Sequence, residues 1–125
     1  MEQYTKKFYQ KRHQKTAYSA ETILSILLEK IPEINSAADI GCGVGTWLSV
    51  LENMGVSTVL GIEGNWVDEE LLVIPKESFQ QMDLSKMETP SQRYDLAISL
   101  EVAEHLPPES AEDFVSRLTE LSDYI

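Results

Sequence analysis

The chain has 125 residues, 42% hydrophobic and 25% charged, with one cysteine and a net charge of −11. That is enough for one compact domain with a core, and it holds no apolar run long enough to span a bilayer and no internal disulfide. Its N-terminus, MEQYTKKFYQKRHQK, has no apolar stretch of the kind a secretory signal needs, so a cytoplasmic location is the expectation. The charge is uneven: residues 1–15 carry Lys6, Lys7, Lys11, Arg12 and Lys15 against Glu2, whereas residues 16–125 carry 5 basic and 20 acidic side chains. So acidic a body repels phosphate backbones and argues against non-specific nucleic-acid binding. The basic arm reads as a solvated helix face, or as a contact for an anionic substrate.

No repeats or low-complexity tracts interrupt the chain. Tyr4, Phe8 and Tyr9 among lysines suggest a short amphipathic helix over 3–14. Ser19 can cap a second helix over 20–31, with Ile23, Leu24, Ile26, Leu27, Leu28 and Ile31 as its apolar face and Pro32 beyond its end. Residues 37–40 form a short buried strand. Residues 46–54 form a helix with Trp47, Leu48, Leu51 and Met54 on one side, and Gly55 is placed to stop it. Strand two follows at 57–62, a short helix at 66–72, a weak strand at 79–82 and a fourth strand at 94–100. Pro107-Pro108 makes a break, and 109–122 form a helix with Phe114, Val115, Leu118 and Leu121 at helical spacing. Strands alternating with helices imply an α/β, Rossmann-like, doubly wound, mainly parallel sheet with helices on both faces. The order stops after strand four and its helix. A fifth strand is expected where the chain ends, and an uncovered fourth-strand edge would invite pairing, as in a homodimer.

The informative stretch is Ala37–Trp47, AADIGCGVGTW. An apolar strand, a glycine-rich loop and a helix form a nucleotide-binding turn, in which glycine permits positive φ and lets a ligand approach the main chain. The spacing of Gly41, Gly43 and Gly45 is G-x-G-x-G rather than the dinucleotide G-x-G-x-x-G, and no Gly-Lys-Ser/Thr follows, which excludes a P-loop. Glu63 ends strand two, where a carboxylate can accept from both hydroxyls of a ribose. Asp83 follows strand three.

With these residues assembled, the chain resembles the class I S-adenosylmethionine-dependent methyltransferases of the type 11 group. Four blocks match in order over residues 37–106: DIGCGVG, GIEGNW, QMDLSK and YDLAISLEVAEHL. The resemblance implies an S-adenosylmethionine-binding core over 37–125 and an N-terminal helical segment, 1–36, that serves as a substrate lid. It implies that Asp39 and Gly41 sit near the methionine amino group and that Gly43 and Gly45 carry the methionyl and ribose parts. By the same resemblance Glu63 binds the ribose, Asp83 accepts from the adenine amino group beside the Leu84 backbone, and the Leu100 carbonyl meets the methionine end. In similar proteins an apolar side chain after the strand-two acid packs on adenine. Here that place holds Gly64, and Trp66 either takes the role over or packs in the core or at the rim.

Methyl transfer from a sulfonium needs mainly positioning and desolvation, with a base only where the acceptor must lose a proton. His105 is the candidate base. On a helical turn Glu101, Glu104 and His105 share one face and could hold a divalent metal. E-x-x-E-H resembles the metal-binding turn of small-RNA 2′-O-methyltransferases and ubiquinone-pathway O-methyltransferases, although the further histidine of the RNA enzymes has no counterpart here. The competing reading has Glu104 and His105 order the turn with no metal. His13 reads as a solvated surface histidine, and Cys42 as a small packed residue. The function expected is methyl transfer to a small-molecule acceptor. The alternative is a non-catalytic or truncated cofactor-binding module. A dehydrogenase is disfavoured by the glycine spacing.

Overall fold

The computed structural model describes residues 6–88 and 91–125, with Lys6 and Tyr9 described by backbone alone. Helix α1 (Lys6–Lys30) is one element where the sequence suggests two. No glycine or proline interrupts the segment. The Thr22 and Ser25 hydroxyls donate to the Tyr18 and Glu21 carbonyls four residues back, at 3.1 and 2.6 Å, so they ride within a helix rather than break it. Ser19, the expected cap, lies inside the helix. Tyr4 and the expected start at residue 3 lie outside the described residues. The inward face of α1 is narrower than its composition suggests: Ala20 and Leu24 are buried and Leu27, Leu28 and Ile31 pack against them, while Ile23 and Ile26 are more than half exposed.

Four strands follow: β1 (Ser36–Ile40), β2 (Thr58–Glu63), β3 (Phe79–Gln81) and β4 (Leu96–Ile98). All pair in parallel, in the order β3-β2-β1-β4. β1 and β2 are joined through helix α2 (Thr46–Asn53), and α3 (Pro108–Leu121) follows β4. Alternation along β1 divides the core. Ala37 faces a cluster with Leu24 of α1 and Leu48 and Leu51 of α2, whereas Ala38 and Ile40 face a cluster with Phe114, Leu118 and Leu121 of α3. Helices therefore cover both faces, as the doubly wound reading expects. The connections diverge between β1 and β4, and the carboxyl ends of these strands open into a crevice there.

Local chemistry sets the element ends. The Gly55 and Val56 amides donate to the Glu52 and Leu51 carbonyls, at 3.0 Å each, with Gly55 at φ 101°, which closes α2 as expected. On α2, Val50 is buried, and Met54 lies just past the end of the helix and is exposed, a departure from the expected face. The helix expected at 66–72 is a single 3-10 turn, Glu69–Leu71, with the Glu70 amide donating to Asp68. It buries no apolar side chain that would hold a longer helix. β4 is shorter than the apolar run around it. Asp95 accepts the Asn35 and Ser36 amides at 2.7 and 3.2 Å, and the Ser99 hydroxyl donates to the Ile40 carbonyl at 2.9 Å. Val115 of α3 faces outward. The outer edge of β4 is not bare, because the Ala97 amide donates to the Tyr124 carbonyl at 2.9 Å. No helix among the described residues is long and apolar enough to cross a membrane.

Candidate functional site

The carboxyl ends of β1, β2 and β4 border a cleft of about 530 Å³, and Arg12, His13 and Thr16 of α1 form part of its wall. Its floor is the glycine loop. The Gly41 and Cys42 amides both donate to the Ile62 carbonyl of β2, at 2.7 and 3.2 Å, and the Gly45 amide donates to the Cys42 carbonyl at 3.0 Å. Gly41, Gly43 and Gly45 all have positive φ, at 88, 58 and 93°. Their surroundings differ. A side chain at Gly41 would run into the Val102 methyl, and one at Gly45 would come within 2.8 Å of Ile74. At Gly43 nothing stands within 4 Å. Two of the three positions are thus kept small by the chain's own packing, and one leaves the backbone open to a visitor.

Two carboxylates face this floor. Asp39 is 3% exposed and lines the cleft. Burial first, and then the negative charge of Glu63, push its carboxyl from 3.8 up to about 7. No hydrogen-bond donor among the described residues offsets either effect. Glu63 is also buried, but its oxygens are held: Oε2 accepts the Gly43 amide at 3.1 Å and Oε1 the Gly64 amide at 2.9 Å. Each oxygen keeps a further lone-pair direction free. Cys42 is buried between these groups. Desolvation, with Asp39 and Glu63 beside it, drives its thiol far up, so it stays protonated and inert, as its position in the loop suggests.

The arrangement is a strand–glycine loop–helix turn with one open backbone position and two buried acids at the switch point of a parallel sheet. Residues 9–121 match a family model described as a methyltransferase domain. The chain belongs to that family. Comparison with curated protein sequences gives no match. Among solved structures it is similar to Streptomyces venezuelae DesVI, with a TM-score of 0.69 and 22% identity over 92% of this chain and 50% of that one. It is also similar to S-adenosylmethionine-bound CalS10, an amino pentose methyltransferase from Micromonospora echinaspora, with a TM-score of 0.64 and 15% identity over 83% and 45% of the two chains. The plantazolicin methyltransferase BpumL, solved with a pentazolic desmethylPZN analogue and S-adenosylhomocysteine, aligns with a TM-score of 0.61 and 26% identity over 86% and 43%. The chain therefore spans about half the length of these relatives.

In this methyltransferase domain the remaining candidate residues are not all brought to the cleft. Leu84 and Leu100 line it; Asp83 does not. Asp83 is exposed and caps the 3-10 turn Leu84–Lys86, where its Oδ1 accepts the Ser85 amide at 3.0 Å and hydroxyl at 2.7 Å. Those two bonds hold its carboxyl below the ordinary carboxylate range. After β4, Glu101 takes a left-handed backbone, φ 57°, and only Ala103–His105 form a 3-10 turn. The shared helical face needed for a metal set is lost. Glu101 and His105 line the cleft, Glu104 does not, and no group of three His, Cys, Asp or Glu among the described residues converges as metal ligands.

The domain also brings to the cleft residues of the N-terminal segment to which the sequence gives no defined place in the site. His13 is half-buried rather than solvated, its Nδ1 2.9 Å from the Thr46 hydroxyl at the first residue of α2. Arg12 is exposed yet lines the cleft, the one guanidinium or ammonium group in its wall among the described residues. Arg12 and Thr16 are spaced i, i+4 on α1 and form one stripe. That spacing was visible in the sequence, but not what the stripe faces.

Proposed function

We propose that the chain is the cofactor-binding part of an S-adenosylmethionine-dependent methyltransferase that acts on a small-molecule acceptor in the cytoplasm. The observation that carries this reading is Asp39: a carboxylate almost wholly buried that lines the cleft with the bare Gly43 backbone and has no hydrogen-bond donor among the described residues. A ligand with a positive end satisfies it, and the methionyl ammonium is such an end. The bound cofactor supplies an activated methyl group on a sulfonium. The chain's residues bind, orient and exclude water. Asp39 and the Leu100 carbonyl take the ammonium, and Glu63, already fixed by two loop amides, turns its free lone pairs to the ribose hydroxyls. Gly41 and Gly45 keep the loop in its tight course, and Gly43 admits the cofactor backbone. Leu84 borders the base, and Asp83, outside the cleft wall with its Oδ1 held by Ser85, has its other oxygen left to accept from an exocyclic amine that reaches past Leu84. Arg12 is the counter-charge available to the carboxylate. His105 and His13 both line the cleft and are the imidazoles available there to take a proton from an acceptor hydroxyl or ammonium.

The N-terminal segment, residues 1–36, is the lid in this reading, and residues 37–125 the core. The likeness to CalS10, described as an amino pentose methyltransferase, supports a small polar acceptor. Because the chain spans about half of its relatives, a cofactor-binding half without turnover of its own is the second reading.

Calorimetric titration of the intact chain with S-adenosylhomocysteine, with NADH as control, tests the proposal. Saturable binding of the first alone is expected. Glu63→Ala should weaken it at least about tenfold, since two charge-assisted hydrogen bonds are lost. A folded chain that binds neither ligand would overturn the assignment.

A further inference from the structure

We propose that the Glu101 carboxylate is the counter-charge for the cofactor's sulfonium, so that the chain distinguishes the methyl donor from the demethylated product. The inference rests on the S-adenosylmethionine reading of the cleft and adds a selectivity residue to it. That cofactor brings three charges: an ammonium, a carboxylate and a sulfonium. Asp39 matches the first and Arg12 the second, while Glu63 takes the neutral ribose. Glu101 is the third carboxylate lining the cleft, and neither ion pair among the described residues involves it. The sulfonium is the one cofactor charge still without a partner.

The backbone at Glu101 is strained as well. Among the described residues it is the one non-glycine with a left-handed φ, at 57°. Glycine would take this conformation without steric cost, so the turn keeps a strain for the sake of a side chain. The turn is pinned on both sides. Ahead of it, the Ser99 hydroxyl donates to the Ile40 carbonyl at 2.9 Å, which ties the end of β4 to the end of β1. Behind it, Val102 fills the space that a side chain at Gly41 would need, and its carbonyl accepts the His105 amide at 3.0 Å. Glu101 is thereby held between Leu100, whose carbonyl is assigned to the ammonium, and Val102, which packs on the glycine loop. The cofactor's sulfur lies between its methionyl end and its ribose, so it falls in the part of the cleft that this turn borders. After transfer the S–C bonding pair stays on sulfur, and the product is a neutral thioether. The attraction to Glu101 is then lost, and the product keeps only the contacts it shares with the donor.

The test is calorimetric titration of the intact chain with three probes. S-adenosylmethionine carries the sulfonium, sinefungin has a protonated amine in place of the methylated sulfur, and S-adenosylhomocysteine is neutral there. Glu101→Gln should weaken the two cationic probes by about three- to tenfold, the span from a fully hydrated to a partly screened charge pair. It should leave S-adenosylhomocysteine within about twofold of the parent. Glu101→Asp, which keeps the charge, should hold both cationic probes more tightly than Glu101→Gln does. In the parent, the affinity for S-adenosylmethionine relative to S-adenosylhomocysteine should fall as NaCl rises from about 0.05 to about 0.5 M, and in Glu101→Gln it should change less. Thermal melts without ligand check that each variant is folded. An equal loss for all three probes in Glu101→Gln would overturn the proposal, because it would place Glu101 at a part of the ligand that all three share. Unchanged affinity for all three, while the parent chain binds them, would overturn it too. A parent chain that binds none of the probes defeats the cofactor reading itself and Glu101 with it, a result distinct from both.

Discussion

Asp39 concentrates the conflict between stability and function in one side chain. Its folded carboxyl titrates near 7 against 3.8 in an unconstrained chain. The folded state therefore holds a proton that the unfolded state has lost, so stability falls as pH rises from about 4 to about 7 and levels off above. Asp39→Asn should remove that penalty, raising the melting temperature at pH 8 with a gain that shrinks toward zero at pH 4. The same change should lower S-adenosylhomocysteine affinity by about tenfold or more, since a neutral amide replaces the acceptor of a charge-assisted bond. Binding below pH 7 should release a proton from Asp39, detectable as a dependence of the calorimetric heat on buffer ionisation enthalpy. A variant less stable at pH 8, with unchanged affinity, would show that the carboxylate is structural. The glycines divide in a similar way. Gly41→Ala meets both a positive φ and the Val102 methyl and should cost roughly 2–5 kcal/mol in a denaturant melt. Gly43→Ala meets only the backbone penalty, about 1–2 kcal/mol, with its larger effect on ligand affinity.

At the scale of elements, what could be read in advance was local. β1, α2 with its glycine stop, and α3 after its prolines all announce themselves within a dozen residues, and each appears within about two residues of its expected bounds. The errors are where distant packing decides. Nothing near Ser19 says that α1 continues through it, and nothing near Trp66 says that the following acids find no core to cover. At Glu101–His105 the residue types suggested metal ligation, but their geometry depends on a left-handed residue that no local rule supplies. The site divides likewise. The glycines, Asp39 and Glu63 were legible from spacing after strands. The pairing of Gly41 with Val102, and of His13 with Thr46, spans distances in sequence that periodicity cannot bridge. One non-local contact gives a clean control. Asp95 ties the start of β4 to the start of β1 through the Asn35 and Ser36 amides, at the end of the strands away from the cleft. Asp95→Ala should lower stability by about 1–2 kcal/mol in a urea melt. The fraction that remains folded should bind S-adenosylhomocysteine as the parent does; a matching loss of affinity would show that the two ends of the sheet are coupled.

Over the whole molecule, charge is the unbalanced quantity. The chain carries −11, and the surplus basic charge sits on its first 15 residues, leaving the rest more acidic still. The ion pairs seen among the described residues, Arg93–Asp123 and Arg117–Glu120, are exposed and contribute little. The folded body thus gathers like charges that the extended chain holds apart, and self-repulsion weakens the compact state. Salt should screen this, since the Debye length falls from about 30 Å at 0.01 M to about 8 Å at 0.15 M. The melting temperature at pH 8 should therefore rise as NaCl goes from 0.01 to about 0.15 M, by a few degrees for a net gain of about 1 kcal/mol. The rise should shrink at pH 4, where many of the carboxylates are protonated and the repulsion is already reduced. A melting temperature that falls with salt at pH 8 would mean that attraction between the basic arm and the acidic body outweighs repulsion within the body. The arm would then be held over the cleft by charge as well as by the His13–Thr46 contact.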